Sequence, residues 1–233
     1  MQCVVLAGGL GTRMLPRTAQ TPKVLLRVAG RPFIDHQIEL LARKGVSEIL
    51  YLVSHLADQV EDHLRGRSWS VPVGMHNEGS IPRGTGGALK SAEAKSKLKE
   101  EFFLTYGDSY LPTDWQAVWD KFQDTEDDVM MTVVKNDNRW DTSNCAISAA
   151  GKLLYGKGPL APAGAQLIDY GLIAMKRTVV AKWSANEKFD LADRLHQLSV
   201  EGHVGFFMTS DRFYEVGSPQ GLQDLEKYLV QTL

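Results

Sequence analysis

The chain has 233 residues, of which 43% are hydrophobic and 23% charged, and its formal net charge is -2 at pH 7. This length allows a sizeable core, and the charge balance offers no basic surface for nucleic acid. The sequence lacks a secretory signal pattern, an apolar run of membrane-spanning length and a thiolate cluster, which predicts a cytoplasmic protein without nucleic-acid or membrane partners. Cys3 and Cys145 lie in apolar runs and are expected to be buried free thiols.

Strand-like and helix-like segments alternate along the first half of the chain. Short apolar runs, typical of strands buried on both faces, occupy residues 3–7, 49–53, 71–75, 102–106 and 129–134. Helical periodicity or helix-start signals occupy residues 32–45, 56–64, 85–98 and 114–122. This rhythm predicts an α/β fold, a Rossmann-like open mixed sheet that is mainly parallel and carries helices on both faces.

The second half of the chain is richer in strand signal. Runs at residues 144–148, 153–155, 167–175 and 204–208, without long helices between them, predict a small antiparallel extension of the sheet. Residues 156–164 read as a loop beside a site. Residues 222–229 predict an amphipathic helix whose apolar side chains fit either a homodimer interface or the core. Because no linker is visible, residues 1–233 are predicted to form a single domain.

A glycine-rich loop, GGLGTR at residues 8–13, follows the first predicted strand. The dinucleotide fingerprint fails because Met14 stands where its third glycine belongs, and no Gly-Lys-Ser/Thr completes a P-loop. The backbone N–H groups of such a loop can still form an anion nest, to which Arg13 and Lys23 add positive charge. The loop therefore fits a polyphosphate cradle, with a simple tight turn as the alternative.

Four segments together resemble one family. The string LAGGLGTRMLPRTAQTPKVLL at residues 6–26 resembles the signature of the sugar-1-phosphate nucleotidyltransferases, also called nucleotide-sugar pyrophosphorylases. EGSIPRGTGGALKSA at residues 78–92, YGDSYL at 106–111 and RFYEVGSPQGL at 212–222 resemble its base-recognition, metal-aspartate and closing metal segments, in that order. Within the family the chain looks most like the branch that includes heptose-1-phosphate guanylyltransferases.

The resemblance implies that an NTP lies across the glycine loop, with Lys23 between the α-phosphate and the sugar phosphate. Glu78 would accept hydrogen bonds from the base, the alternative being a solvated loop carboxylate. For Gly86 and Gly87, the alternative is that they only open a helix at Ala88. The implied nucleotide-binding residues are Leu6, Ala7, Gly8, Gly9, Gly11, Thr12, Arg13, Lys23, Glu78, Gly84 and Thr85.

The resemblance also implies a Mg2+ cofactor bound by Asp108 and Glu215. Magnesium prefers one or two carboxylates together with phosphate oxygens. Glu215 departs from the family, which carries an aspartate in this segment, and it is one methylene longer. The alternatives are a strand-end cap for Asp108 and a surface acid for Glu215.

The implied sugar-phosphate site consists of Tyr106, Asn144, Lys157 and Asp169. Many members carry a Glu-Lys pair where this chain has Gly156 followed by Lys157, so the carboxylate that binds sugar hydroxyls is missing. Asp169 or Asn144 would take over part of its task, which predicts a sugar different from glucose. Trp140 would stack on a sugar face or serve in packing.

The implied reaction converts an NTP and a sugar 1-phosphate, a hexose or heptose derivative, into a nucleoside-diphosphate sugar and pyrophosphate. Arg13, Lys23 and Asp108 would be the catalytic residues. The phosphate nucleophile is already anionic, so no histidine base is needed, and the six histidines are expected at the surface or in packing. Two alternatives are a non-catalytic nucleotide sensor and a phosphocholine cytidylyltransferase, the latter requiring an aromatic cage such as Trp140, Tyr155 and Tyr170.

Overall fold

A computed structural model describes residues 1–79, 83–136, 139–185 and 187–232. Its strands are β1 (Gln2–Leu6), β2 (Arg27–Val28), β3 (Arg31–Pro32), β4 (Glu48–Val53), β5 (Val73–Asn77), β6 (Glu101–Tyr106), β7 (Ser109–Tyr110), β8 (Val129–Lys135), β9 (Cys145–Ile147), β10 (Leu153–Tyr155), β11 (Leu167–Lys176), β12 (Val204–Thr209) and β13 (Tyr214–Glu215). The α-helices are α1 (Phe33–Arg43), α2 (Ala57–Arg65), α3 (Gly84–Ala94), α4 (Trp115–Gln123), α5 (Arg177–Ala181), α6 (Leu191–Val200) and α7 (Pro219–Thr232). Short 3₁₀ turns occur at Thr12–Met14, Lys23–Leu25 and Gly158–Leu160.

Nine strands of the described chain form one mixed sheet. Its main path runs β10, β9, β11, β6, β1, β4, β5, and β8 pairs with both β11 and β12. Strands β6, β1, β4 and β5 are mutually parallel, whereas β11 is antiparallel to β6 and β8 is antiparallel to β11. The predicted fold, a mainly parallel open sheet with an antiparallel extension, is confirmed.

The core lies on both faces of the sheet, as the sequence of β1 requires. All five residues of β1 are buried, and successive side chains point to opposite faces. Cys3 and Val5 pack in one apolar cluster with α1, α2 and α4, while Val4 and Leu6 pack in another with α3 and α6. A third cluster lies beneath α7. Within the described ranges, no helix is both long and apolar enough to cross a bilayer.

The prediction that no long helix lies between the strands of the second half is wrong, because α6 separates β11 from β12. Leu191, Leu195 and Ser199 repeat every four residues and are buried, so α6 presents one face to the sheet. The helix predicted for residues 85–98 ends earlier, at Ala94, because Ser96 adopts a left-handed φ of 54°. Cys3 and Cys145 are free and buried, as predicted.

Candidate functional site

Two neighbouring cavities open at the carboxyl ends of the parallel strands, where ligands bind in open α/β sheets. The first cavity, of about 340 Å³, lies between the loop after β1 and the beginning of α3. The second cavity, of about 720 Å³, lies beside β11 and the segment around β13. Tyr106 and Asp108 line both cavities and therefore form their common wall.

The glycine loop after β1 combines a tight turn with an open backbone. Gly11 has a left-handed φ of 64°, and a Cβ there would stand 3.0 Å from Thr18 Cγ2 and 3.3 Å from Lys23 Cε. A Cβ on Gly9 would meet nothing within 4 Å, so packing does not require glycine at that position. The turn alternative therefore holds for Gly11, while Gly8 and Gly9 line the first cavity and leave their backbone open to it.

Lys23 and Asp108 meet directly at the common wall. Lys23 Nζ lies 2.9 Å from Asp108 Oδ2, and the two side chains are only 18% and 23% exposed. Gln37 holds the turn that carries Asp108, because its Nε2 donates to the carbonyl oxygens of Tyr106 at 3.0 Å and Ser109 at 2.8 Å. The hydroxyl of Tyr51 donates to Gln37 Oε1 at 3.0 Å and fixes the amide orientation. Sequence reasoning missed Gln37, whose only signal is a polar side chain on a buried helix face.

Glu215 and Arg13 approach the same point as Asp108. The antiparallel pairing of β13 with β7 sets Glu215 opposite Ser109. A Cβ on Gly217 would lie 2.8 Å from Glu215 Oε2, 2.9 Å from Asp108 Oδ2 and 3.3 Å from Arg13 Nη2. A side chain at this position would displace these groups, because two carboxylates and one guanidinium share a single small space.

This pair of carboxylates fits a magnesium ion that takes its other ligands from a substrate. Glu215 folds back so that its two oxygens accept from the Gly217 N–H and the Ser218 hydroxyl, which accommodates the extra methylene. In the part of the chain that the structure describes, no group of three or more His, Cys, Asp or Glu side chains could hold a metal ion. A cation between Asp108 and Glu215 would therefore need oxygens from a bound phosphate.

Glu78 projects into the first cavity beside the glycine loop. A Cβ on Gly8 would stand 3.0 Å from Glu78 Oε1, while Oε2 accepts a long 3.4 Å bond from the Arg83 N–H. Burial raises the pKa of the Glu78 carboxyl. Residues 80–82 of the predicted base-recognition segment lie outside the described residues.

The glycines at the start of α3 accommodate another part of the chain. Gly84 has a φ of 75°, and a Cβ on Gly86 would lie 2.3 Å from Phe189 Cε2. The N–H groups of Gly86 and Gly87 donate to the Phe189 carbonyl at 3.2 and 3.3 Å. The alternative in which Gly86 and Gly87 open a helix at Ala88 is wrong, because α3 begins at Gly84.

Thr85 extends this contact and brings an unpredicted acid to the first cavity. Its Oγ1 accepts from the Leu191 N–H at 2.8 Å, so this hydroxyl already has a protein partner. The contact positions Asp190, which precedes Leu191, in the lining of the first cavity. Ser54 and His55 also line this cavity, although the sequence assigned His55 only to the surface or to packing.

Asp169 in the second cavity lies at one backbone irregularity and takes part in two hydrogen bonds. The register of β11 against β8 shifts between Asp169 and Ile173, a bulge that redirects side chains beside the site. Asp169 Oδ1 accepts from the Gly171 N–H at 2.9 Å, and Asn144 Oδ1 accepts from the Asp169 N–H at 2.9 Å. Burial raises the pKa of the Asp169 carboxyl, partly offset by that hydrogen bond from Gly171 and by the charge of Lys157.

Aromatic side chains form one wall of the second cavity. Trp140 contacts the edge of Phe213 with ring centroids 5.5 Å apart, and Phe213 contacts Tyr170 at 6.0 Å. Tyr155 packs in the apolar cluster on the opposite face of the sheet from Tyr170. The phosphocholine cage of Trp140, Tyr155 and Tyr170 is therefore not assembled.

Tyr106 lies at the centre of the site. Burial raises the pKa of its phenol well above the ordinary value, and the charges of Asp169, Asp108 and Asp190 raise the pKa further. Lys157 Nζ lies 5.9 Å from the centroid of its ring.

The predicted site residues divide between the two cavities. Those that line the first cavity are Leu6, Ala7, Gly8, Gly9, Lys23, Glu78, Gly84 and Thr85, and those that line the second are Arg13, Asn144, Lys157, Asp169 and Glu215. Tyr106 and Asp108 line both cavities, whereas Gly11 and Thr12 line neither.

Comparison with known proteins identifies relatives along the whole chain. A model of the MobA-like NTP transferase domain matches residues 3–201. D-glycero-alpha-D-manno-heptose 1-phosphate guanylyltransferase of Campylobacter jejuni is 23% identical over 225 residues, which cover 94% of this chain and 96% of the relative. N-acetylmuramate alpha-1-phosphate uridylyltransferase of Caulobacter vibrioides is 28% identical, with 98% and 96% covered. The structure of HddC from Yersinia pseudotuberculosis complexed with GMP-PN superposes with a TM-score of 0.80 at 25% identity, covering 98% of this chain and 99% of HddC.

Proposed function

Because this chain belongs to the MobA-like NTP transferase domain family, we propose that it is a sugar-1-phosphate nucleotidyltransferase. It would make a nucleoside-diphosphate sugar and pyrophosphate from an NTP and a sugar 1-phosphate. The observation that carries this proposal is the pair of cavities with Asp108 and Tyr106 as their common wall. One cavity suits the nucleotide donor and the other the acceptor, so that the two substrates meet at Lys23 and Asp108.

The proposed reaction forms one bond and breaks one. A phosphate oxygen of the sugar 1-phosphate attacks the α-phosphorus of the NTP, and the bond from that phosphorus to the β-phosphate bridging oxygen breaks, releasing pyrophosphate. The attacking phosphate has a second pKa of about 6, so it is largely dianionic near neutral pH and needs no general base. The protein's task is therefore to align two anions and to neutralise the charge that develops on them.

The basic side chains would divide this task. Lys23 would exchange its ion pair with Asp108 for a contact with the α-phosphate. Arg13 would stabilise the departing pyrophosphate. Backbone N–H groups of Gly8 and Gly9 would hold the polyphosphate. Asp108 and Glu215 would hold the divalent cation, proposed to be Mg2+, which when bound neutralises charge on phosphate oxygens.

We propose guanine as the base. Glu78 offers a carboxylate oxygen at the first cavity, and a carboxylate is best matched by two adjacent N–H donors. Among the four bases, guanine alone presents an imino and an amino N–H side by side on its pairing edge. The guanylyltransferase from Campylobacter jejuni, which covers nearly the whole chain, supports the same choice.

The acceptor is proposed to be a heptose or hexose 1-phosphate. Lys157 would contact its phosphate, and Asp169, Asn144 and Tyr106 would contact the sugar, because all four side chains line the second cavity. We also propose that residues 1–233 act as a single nucleotidyltransferase domain in the cytoplasm. The homodimer remains a prediction.

The decisive experiment is pyrophosphate release with Mg2+ across four NTPs and a panel of acceptors, which contains heptose and hexose 1-phosphates and phosphocholine. We expect release with GTP and one preferred sugar 1-phosphate. Glu78→Gln, which keeps the shape but replaces an acceptor with a donor, should reduce the preference for GTP over UTP. Nucleotide binding without release on any acceptor would contradict the transferase and support the sensor, whereas release with CTP and phosphocholine would support the cytidylyltransferase.

A further inference from the structure

Asp190 lies in the first cavity although no motif of the sequence points to it. The residue precedes α6, more than a hundred positions after the glycine loop, and lines the cavity together with Gly8, Glu78 and Gly84. Its position is fixed from both sides. The Phe189 carbonyl accepts from the N–H groups of Gly86 and Gly87, and the Leu191 N–H donates to Thr85 Oγ1.

The carboxylate of Asp190 is not used for helix capping. An aspartate at the N-cap position ordinarily accepts from an N–H of the first helical turn. Here the Asp190 side chain makes no capping hydrogen bond, and the Thr85 hydroxyl takes the first N–H of α6 instead. Among the described residues, no donor is hydrogen-bonded to the Asp190 carboxylate. The side chain is exposed and lines the first cavity, with Oδ1 3.2 Å from where a Cβ on Gly84 would stand, so the carboxylate can accept hydrogen bonds from a ligand there.

The negative charge of the Asp190 carboxylate restricts which part of a substrate can lie beside it. A polyphosphate beside Asp190 would be repelled, and the cations that suit phosphates, Lys23 and Arg13, lie at and beyond the common wall. Uncharged donors are favourable partners, and two neighbouring hydroxyl groups match the two oxygens of a carboxylate. Sugars offer such pairs.

We propose that Asp190 binds a pair of sugar hydroxyl groups of a substrate and thereby acts as a specificity-determining residue of the transferase. The inference rests on the proposed function. The hydroxyls belong either to the ribose of the nucleotide or to the acceptor sugar, since Tyr106 borders both cavities. In either case the Asp190 contact supplies binding and orientation, and no bond to Asp190 forms or breaks.

The test compares wild type with Asp190→Ala and Asp190→Asn in two arms. In the first arm, GTP is replaced by 2′-deoxyGTP and 3′-deoxyGTP. In the second arm, the accepted sugar 1-phosphate is replaced by its monodeoxy analogues. Asp193→Ala is the matched control, because Asp193 lies in the first turn of the same helix, is exposed and lines neither cavity.

In the arm that contains the bound hydroxyls, wild type should lose about tenfold or more in kcat/KM with the deoxy analogue, as expected for a hydrogen bond to a charged group. Asp190→Ala should lose a similar factor with the natural substrate, mainly in KM, and should no longer distinguish the analogue. The kcat/KM of Asp190→Asn with the natural substrate should lie between those of wild type and Asp190→Ala. If Asp190→Ala loses discrimination in the GTP arm, the bound hydroxyls are those of the ribose. If it loses discrimination in the acceptor arm, they are those of the acceptor sugar.

Failure of the inference and failure of the proposed function give different results. If wild type releases pyrophosphate and Asp190→Ala discriminates in both arms as wild type does, the inference is overturned while the function stands. If wild type releases none, calorimetric titration of wild type and Asp190→Ala with GTP and its two deoxy analogues tests the ribose contact alone. Equal affinities of both proteins for all three nucleotides would then overturn the inference, as would the absence of nucleotide binding.

Discussion

Lys23 and Asp108 form an ion pair that a bound substrate would have to replace. Both side chains are largely removed from water, and the ammonium satisfies one carboxylate oxygen in the absence of phosphate. A nucleotide with its metal ion would replace both halves of this contact, because phosphate oxygens attract Lys23 and the cation attracts Asp108. The pair therefore keeps two oppositely charged groups close to where each would be used.

Replacing Lys23 with alanine should reduce kcat for pyrophosphate release by roughly 100-fold or more, the usual cost of removing one donor that stabilises developing charge. The variant should change kcat more than KM, because the contact of Lys23 with the phosphate strengthens as the transition state forms. Arg17→Ala is a suitable control, since Arg17 is exposed on the same loop and lines neither cavity. Near-normal turnover of Lys23→Ala would refute the assignment.

The partly buried carboxyl of Asp169 should make stability depend on pH. Its pKa is raised by burial, so between the unfolded value near 3.8 and the higher folded value the native protein holds a proton that the unfolded chain has lost. The free energy of unfolding therefore falls as pH rises through this window. Asp169→Asn removes the titration and keeps an acceptor for the Gly171 N–H.

We expect the Tm of Asp169→Asn to exceed that of wild type by more at about pH 7 than at about pH 4. Pyrophosphate release by this variant should decrease, because a sugar hydroxyl would lose its charged acceptor. Thermal melts at the two pH values test the first statement. A Tm difference that is the same at both would show that Asp169 carries no buried charge.

At the level of secondary-structure elements, the beginning of α3 joins the two halves of the chain. Alanine is preferred over glycine inside a helix by about 1 kcal/mol, so propensity alone would favour Gly86→Ala. A Cβ at this position would stand 2.3 Å from Phe189 Cε2, however, and overpacking typically costs about 1–3 kcal/mol. The steric term should win.

Gly86→Ala should therefore lower the free energy of unfolding by about 1 kcal/mol, which urea titration would measure. It should also weaken nucleotide binding, because residues 187–191 would move away from the first cavity. Gly74→Ala is the control, since its Cβ would meet its nearest neighbour at an ordinary 3.7 Å. A more stable Gly86→Ala protein would contradict the close contact with Phe189.

Elements with a strong local pattern were predictable from the sequence, and contacts across the fold were not. The run Gln2–Leu6 and the glycines after it mark, within a dozen residues, a buried strand and a loop that lines the first cavity. Asp190 and Gln37 carry no such local signal, because their roles depend on the pairing of α3 with residues 189–191 and on α1 lying beneath the turn after β6. The 3.6-residue period of α6 was present in the sequence but lay among stronger strand signals.

Across the whole molecule, the proposed metal site links segments distant in sequence. Asp108 follows β6, Glu215 belongs to β13, and both approach Gly217. GTP with Mg2+ at about 100 times its Kd would stabilise the folded state by about 2.7 kcal/mol, equivalent to a Tm increase of about 5–10 °C for a chain of this size.

Addition of EDTA should remove most of that increase, because Asp108 and Glu215 would then face the phosphates without a cation. Asp108→Asn should show a smaller increase than wild type, also with Mg2+ present. If GTP raised the Tm of wild type equally with and without EDTA, Asp108 and Glu215 would not hold a cation together with the nucleotide. Differential scanning fluorimetry is sufficient for this measurement.

Among the described residues, Tyr106 and Asp108 alone line both cavities, and this has a consequence for how such proteins diversify. A substitution in the aromatic wall of Trp140 and Phe213 would change the proposed acceptor cavity and leave the surroundings of Glu78 intact. The preference for the donor and the preference for the acceptor would then change through different substitutions, so that one can change in evolution while the other is kept. Relatives of similar length that transfer guanylyl groups to a heptose phosphate and uridylyl groups to a muramate phosphate are what such independent drift would produce.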